Sequence, residues 1–75
     1  SNDNFIVFPN PSNGILNFSS VLQNEKIEVF SLTGQKMFEK EVSNTKSINL
    51  NLNTGIYLLK LSNNHRIINS KIIIK

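Results

Sequence analysis

The chain has 75 residues, no cysteine, and eight Lys or Arg against five Asp or Glu, a formal net charge of +3. A single small domain of this size buries about 60% of the surface its unfolded chain exposes, which leaves no volume for a deep catalytic cleft. The absence of cysteine excludes disulfide staples and thiolate metal sites. The basic residues (Lys26, Lys36, Lys40, Lys46, Lys60, Arg66, Lys71, Lys75) never form a block. That argues against a nucleic-acid binder, whose bases cluster on one face beside stacking aromatics. No segment approaches the ~20 apolar residues of a membrane span. Residues 1–4 read as a linker or an expression scar, and residues 5–75 as the folded unit.

Phe5-Ile6-Val7-Phe8 predicts a short strand that Pro9 stops, because proline cannot donate to a ladder. Pro9-Asn10-Pro11-Ser12-Asn13-Gly14 is a dense turn. Asn10 precedes a proline and is pushed toward extended geometry, and Gly14 is free to take positive φ. Ile15–Ser19 alternates, with Leu16 and Phe18 on one face. Val21–Glu25 reads as a connection. Lys26–Phe30 alternates again, predicting Ile27 and Val29 in the core and Lys26 and Glu28 in water.

Ser31-Leu32-Thr33-Gly34-Gln35 sits where a hairpin loop belongs. Lys36–Val42 returns from it with open parity, since Met37 and Phe38 cannot both point inward without a bulge. After a turn at Ser43–Thr45, Ser47–Leu52 alternates cleanly, with Ile48, Leu50 and Leu52 inward. A polar turn punctuated by Gly55 then precedes the best strand, Ile56-Tyr57-Leu58-Leu59-Lys60-Leu61. It is apolar on both parities, which suits a strand covered on both faces. Ser62–His65 is a polar hairpin turn, and the last strand runs from Arg66 or Ile67 to Lys75.

About seven short strands with turn signals every 8–12 residues predict an all-β fold, an immunoglobulin-like antiparallel β-sandwich. No window shows an amphipathic helix. Tyr57, opening a central strand after a turn, fits either a tyrosine corner that ties the turn backbone or a plain core tyrosine.

Chemistry is sparse. His65 is the only histidine and has only Asn63, Asn64 and Arg66 around it, so a solvated turn residue is expected and no metal or cofactor. Glu39 and Glu41 share a strand face, with Lys40 between them, and read as a solvated pair. Ser12, Ser19, Ser20 and Ser31 lack a base that would activate them. No glycine-rich loop has phosphate-binding spacing. The reading is a non-catalytic domain.

Three pieces carry a resemblance: Phe8-Pro9-Asn10-Pro11-Ser12-Asn13-Gly14, then Val29-Phe30-Ser31-Leu32-Thr33-Gly34-Gln35, then Gly55-Ile56-Tyr57-Leu58-Leu59-Lys60-Leu61 followed by Lys71-Ile72-Ile73-Ile74-Lys75. Each alone is common. Together, in this order and ending at the chain terminus, they resemble the type A C-terminal sorting domain of the type IX (Por) secretion system of Bacteroidota. One departure is Ser31, where that family often has an acidic residue.

The resemblance implies a secretion signal carried as a folded module. Its parent protein crosses the inner membrane by a separate signal peptide, passes through the periplasm and reaches the cell surface or medium through an outer-membrane translocon. In many members a sortase-like cysteine protease then removes the domain, here upstream of Phe5, in or before Asn2-Asp3-Asn4. The family pattern points to Pro9, Asn10, Pro11, Gly14, Gly34, Gly55, Tyr57 and Lys71, Ile72, Ile73, Ile74 and Lys75. The glycines are expected to permit turns and the prolines to stiffen one. The final strand is expected to be an exposed edge, readable by β-augmentation, with Lys71 and Lys75 facing an acidic receptor.

The alternative is an immunoglobulin-like accessory or adhesion module that binds glycan or packs on a neighbouring domain. Sugar sites usually display aromatics, and here there is no Trp and the aromatics sit in strand patterns.

Overall fold

The computed structural model describes residues 5–75. Among them the chain forms β1 (Val7–Phe8), β2 (Ile15–Leu22), β3 (Glu25–Ser31), β4 (Lys36–Val42), β5 (Thr45–Asn49), β6 (Gly55–Ser62) and β7 (Ile67–Ile74). One sheet is ordered β1-β2-β5 and the other β4-β3-β6-β7, and every strand pair is antiparallel. This is the expected sandwich. Alternate side chains of each strand face the opposing sheet. Leu16, Phe18 and Leu22 from the first sheet meet Ile27, Val29, Leu59, Leu61 and Ile72 from the second in the dry interior.

Several local expectations are corrected. The opening strand is shorter than Phe5–Phe8, although Ser19 N still donates to Ile6 O at 2.9 Å. β2 runs on through Val21 and Leu22, so the connection to β3 shrinks to Gln23-Asn24, with Asn24 at φ 54°. Asparagine tolerates that left-handed conformation. β5 ends at Asn49, three residues before the alternating run does, yet Leu50 is buried and Ile48 and Leu52 pack on the core. In β4, Val29 pairs with Phe38 and Phe30 with Lys36, which leaves Met37 as the extra residue of a bulge. Phe38 therefore turns inward and Met37 stays exposed.

Glu28 is not in water as its alternation predicts. Its side chain is only 10% exposed on the outer face of the sheet, with Lys36 Nζ 3.0 Å away across the hairpin. Lys36 also meets Glu39 at 2.7 Å, and Lys26 meets Glu39 at 3.1 Å. The Lys36 ammonium, hydrogen-bonded to both, holds the Glu28 and Glu39 carboxyls below the usual carboxylate range. In turn Glu39, and then Glu28, raise Lys36. Depressed carboxylates stabilise the fold above their unfolded values, and that contribution is lost as pH falls through the folded ones. Thermal melts taken down through the carboxylate range should therefore show a shallower acid-side loss for Glu28→Gln than for the parent. Parallel acid limbs would contradict the pairing.

The outer face of β6 is also not covered. Ile56 and Leu58 are 43% and 44% exposed. Two apolar parities in a sequence do not distinguish a strand buried on both sides from one whose second face awaits a partner.

At the end of the sandwich that holds the β2–β3, β4–β5 and β6–β7 turns, Phe5 stacks on Phe18 with ring centroids 6.0 Å apart. Arg66 lies 5.4 Å above the Phe5 ring and donates to Glu25 Oε2 at 2.7 Å. Glu25 is thereby held almost fully buried.

Candidate functional site

After β1 the chain leaves the first sheet, touches the edge of the second, and returns. Pro9 and Pro11 have no N–H to leave unpaired at an exposed edge, and the peptide bonds before both are cis. Between them the Asn10 side chain acts as a stand-in for a neighbouring peptide group. Its Oδ1 accepts from Ile73 N at 2.9 Å, and its Nδ2 donates to Lys71 O at 3.1 Å. Ser12 continues the pairing with its own backbone, in a parallel bridge to Ile74. Ser12 N donates to Ile73 O and Lys75 N donates to Ser12 O, both at 2.8 Å.

The C-terminal half of β7 is thus a closed edge. Its outward groups at Lys71, Ile73 and Lys75 are taken by Asn10 and Ser12. This corrects the expectation that Lys71–Lys75 is an open strand ready for β-augmentation. Pairing alternates along an antiparallel strand, so Ile67, Asn69 and the Lys71 amide share that outward direction, and among the described residues nothing pairs with them. The open stretch of the edge lies there.

The segment is locked at both ends. Ser12 Oγ donates to Ile15 O at 2.7 Å and accepts from Gly14 N at 3.0 Å, in a buried position. Gly14, at φ 119°, accepts from Leu50 N at 2.7 Å, and a Cβ there would lie 2.8 Å from Leu50 O. Only glycine fits that crossing back into the first sheet.

The other motif residues stack beside this edge. Ile72 pairs with Tyr57, and Tyr57 with Ser31 on its far side. Ile74 pairs with Gly55. The three sequence pieces therefore meet on consecutive strands at one end of the four-stranded sheet. Ile72 and Ile74 are core residues and Ile73 is half-buried, whereas Lys71 and Lys75 are exposed.

Tyr57 takes the corner role: its hydroxyl donates to Asn53 O at 2.7 Å, tying the turn before β6. Tyr57→Phe should cost about 0.5–1.5 kcal/mol, the net worth of one such bond, measured by urea denaturation; an unchanged midpoint would contradict the tie. Gly55 does not serve as a positive-φ turn residue. It begins β6 with the Tyr57 ring lying over it, 3.5 Å from where a Cβ would stand.

The middle piece closes the β3–β4 hairpin. Ser31 N donates to Gln35 O, Gly34 N to Ser31 O, and Gln35 N to Ser31 Oγ. The Ser31 side-chain oxygen thus accepts an amide that closes the loop. Gly34 stands at φ 96° with open space around it.

Sequence reasoning missed Ser12 as the residue that carries the edge pairing. The available signal was an asparagine between prolines, which is edge-covering chemistry, but its partner lies more than sixty residues away.

His65 is exposed in the β6–β7 turn, where its N–H donates to Asn63 Oδ1 at 2.7 Å. Among the described residues no group of three His, Cys, Asp or Glu side chains is placed to hold a metal ion. An open groove of about 520 Å³ lies among the turns at the other end of the sandwich, lined by Asn, Ser, Glu and Lys side chains and Val42 but no aromatic ring. It does not provide the stacking surface expected of the glycan-binding alternative.

No curated protein matches the chain. A family model described as a secretion system C-terminal sorting domain matches residues 6–75, almost every residue of the sandwich. The chain belongs to that family, the C-terminal sorting signals of type IX secretion.

Proposed function

We propose that the outer-membrane translocon of the type IX system reads this chain as a folded module, and that the motif residues act through the closed edge. A type IX sorting signal directs its parent protein to the cell surface or beyond; on this proposal the parent passes through the periplasm and the translocon recognises its C-terminal domain there. The carrying observation is the convergence of Asn10 and Ser12 on Lys71–Lys75. It makes the first and last motif pieces one surface, with the Lys71 and Lys75 ammonium groups displayed on a strand that cannot fray. Pro9, Pro11 and Gly14 shape the clamp, Gly55 and Tyr57 support the strand behind it, and Gly34 closes the adjoining hairpin. A sortase-like cysteine protease then cuts upstream of Phe5, in or before the Asn2-Asp3-Asn4 stretch, which lies outside the described residues.

The test is transport. The chain is appended to a fluorescent protein carrying its own signal peptide, in a host that possesses this secretion system. Surface and medium fractions are compared with those of a translocon-deficient strain. Translocon-dependent appearance outside the cell is expected. Retention of the folded fusion in the periplasm would overturn the reading.

A further inference from the structure

The outer face of the four-stranded sheet carries an apolar patch next to the closed edge. In one cross-strand row Phe30 lies between Lys36 and Leu58, with Lys71 beyond Leu58. In the next row Ile56 stands beside Ile73. Side chains directly or diagonally opposite on one sheet face touch, so Phe30, Leu58, Ile56 and Ile73 form one surface. Leu58 and Ile56 are more than two-fifths exposed. On the other side of Leu58 the row is Glu28, Lys60 and Asn69.

The charge left without an ion-pair partner around this patch is positive. The nearest carboxylates, Glu28 and Glu39, are held by Lys36 and Lys26. Lys60 and Lys71 flank the patch, and among the described residues neither has a carboxylate within ion-pair distance. The opposite sheet also exposes apolar side chains, Ile6, Phe8, Ile15 and Val21, but polar groups separate them. There the exposed Phe8 and Ile15 are interleaved with Asn17, Ser47 and Asn49.

We infer that this face is the docking surface for a protein of the secretion machinery, one that presents an apolar strip bordered by carboxylates. The inference rests on the sorting role proposed above and adds the face and its partner's chemistry. Leu58 and Ile56 fill the apolar strip, while Lys60 and Lys71 pair with the acidic border and set orientation. A second copy is disfavoured because like-charged lysines would meet. A lipid surface is disfavoured because the patch is set within the sheet, while the most exposed apolar residue, Leu32, belongs to the hairpin tip.

The experiment compares the fusion bearing the native chain with Leu58→Asp, Lys71→Glu and, as control, Ile15→Asp on the opposite sheet. Each chain is first checked for cooperative unfolding; if Leu58→Asp does not fold, Ile56→Ser/Leu58→Ser replaces it. Leu58→Asp is expected to lower translocon-dependent export about tenfold or more, as loss of a central contact does. Lys71→Glu should lower it several-fold, and Ile15→Asp should leave it at the native level. Export of both patch variants at the native level would overturn this inference and leave the sorting role standing. Failure of the native fusion would overturn both. Two other results would replace the proposed partner and so overturn it: Leu58-dependent sedimentation with phosphatidylglycerol vesicles, or a Leu58-dependent dimer in ultracentrifugation.

Discussion

Removing Lys71–Lys75 will unfold the domain. Ile72 and Ile74 are 1% and 3% exposed and pair with Tyr57 and Gly55 of the central strand β6. Burying an isoleucine is worth about 1.5–3 kcal/mol, so losing both removes about 3–6 kcal/mol before the ladder is counted. A chain of this length has about 4–11 kcal/mol in all, at roughly 0.05–0.15 kcal/mol per residue. The truncation also strips Asn10 and Ser12 of their partners. Loss of the cooperative thermal transition in circular dichroism is the expected outcome. A truncated chain that still melts within a few degrees of the parent would show that β7 contributes little. A failed export of this truncation therefore says nothing about recognition. Lys71→Glu and Lys75→Glu, both at exposed positions, are the variants that separate recognition from folding.

Gly14→Ala should be the most damaging single methyl addition in the chain. The residue sits at φ 119°, where a side chain costs about 1–3 kcal/mol. The new methyl would also lie 2.8 Å from Leu50 O, a backbone atom. The two backbones cannot separate without losing the Leu50 N–H bond to Gly14 O. Forced overpacking of this kind adds about 1–3 kcal/mol. Gly34→Ala is the internal comparison: φ is 96° but nothing lies within 4 Å of the added methyl. Urea denaturation of the two variants should show the larger loss at Gly14. Equal losses would mean that the crossing to Leu50 is looser than described.

The strands were legible because each announces itself within a few residues. Leu16 and Phe18, Ile27 and Val29, and Ile48 and Leu50 alternate as a half-buried strand must, and asparagine and glycine turns separate them. Tyr57 was legible as one of two roles, and its hydroxyl on Asn53 O decides between them. What stayed hidden depends on partners distant in sequence or across a loop. Glu28 alternates like a solvent residue and is buried because Lys36 folds back over it. Met37 and Phe38 are resolved only by where the bulge falls against Val29 and Phe30. The motif residues at the candidate site were picked out by resemblance. Their joint geometry was not, because Asn10 meets Lys71 and Ile73 through side-chain hydrogen bonds that no local pattern encodes.

Asn10 and Ser12 close the edge of β7 and so join the first and last motif pieces into one unit. Native-state amide hydrogen exchange, read residue by residue, tests this closure most directly, since exchange reports which edge amides are bonded. Ile73 and Lys75 should be protected, because their amides donate to Asn10 Oδ1 and Ser12 O. The amides of Asn69 and Lys71, which point outward on the same strand, should exchange freely. Asn10→Ala should release Ile73 while Leu59 in the central strand stays protected. An Ile73 amide that exchanges as fast as Asn69 in the native chain would show that Asn10 leaves the edge of β7 open.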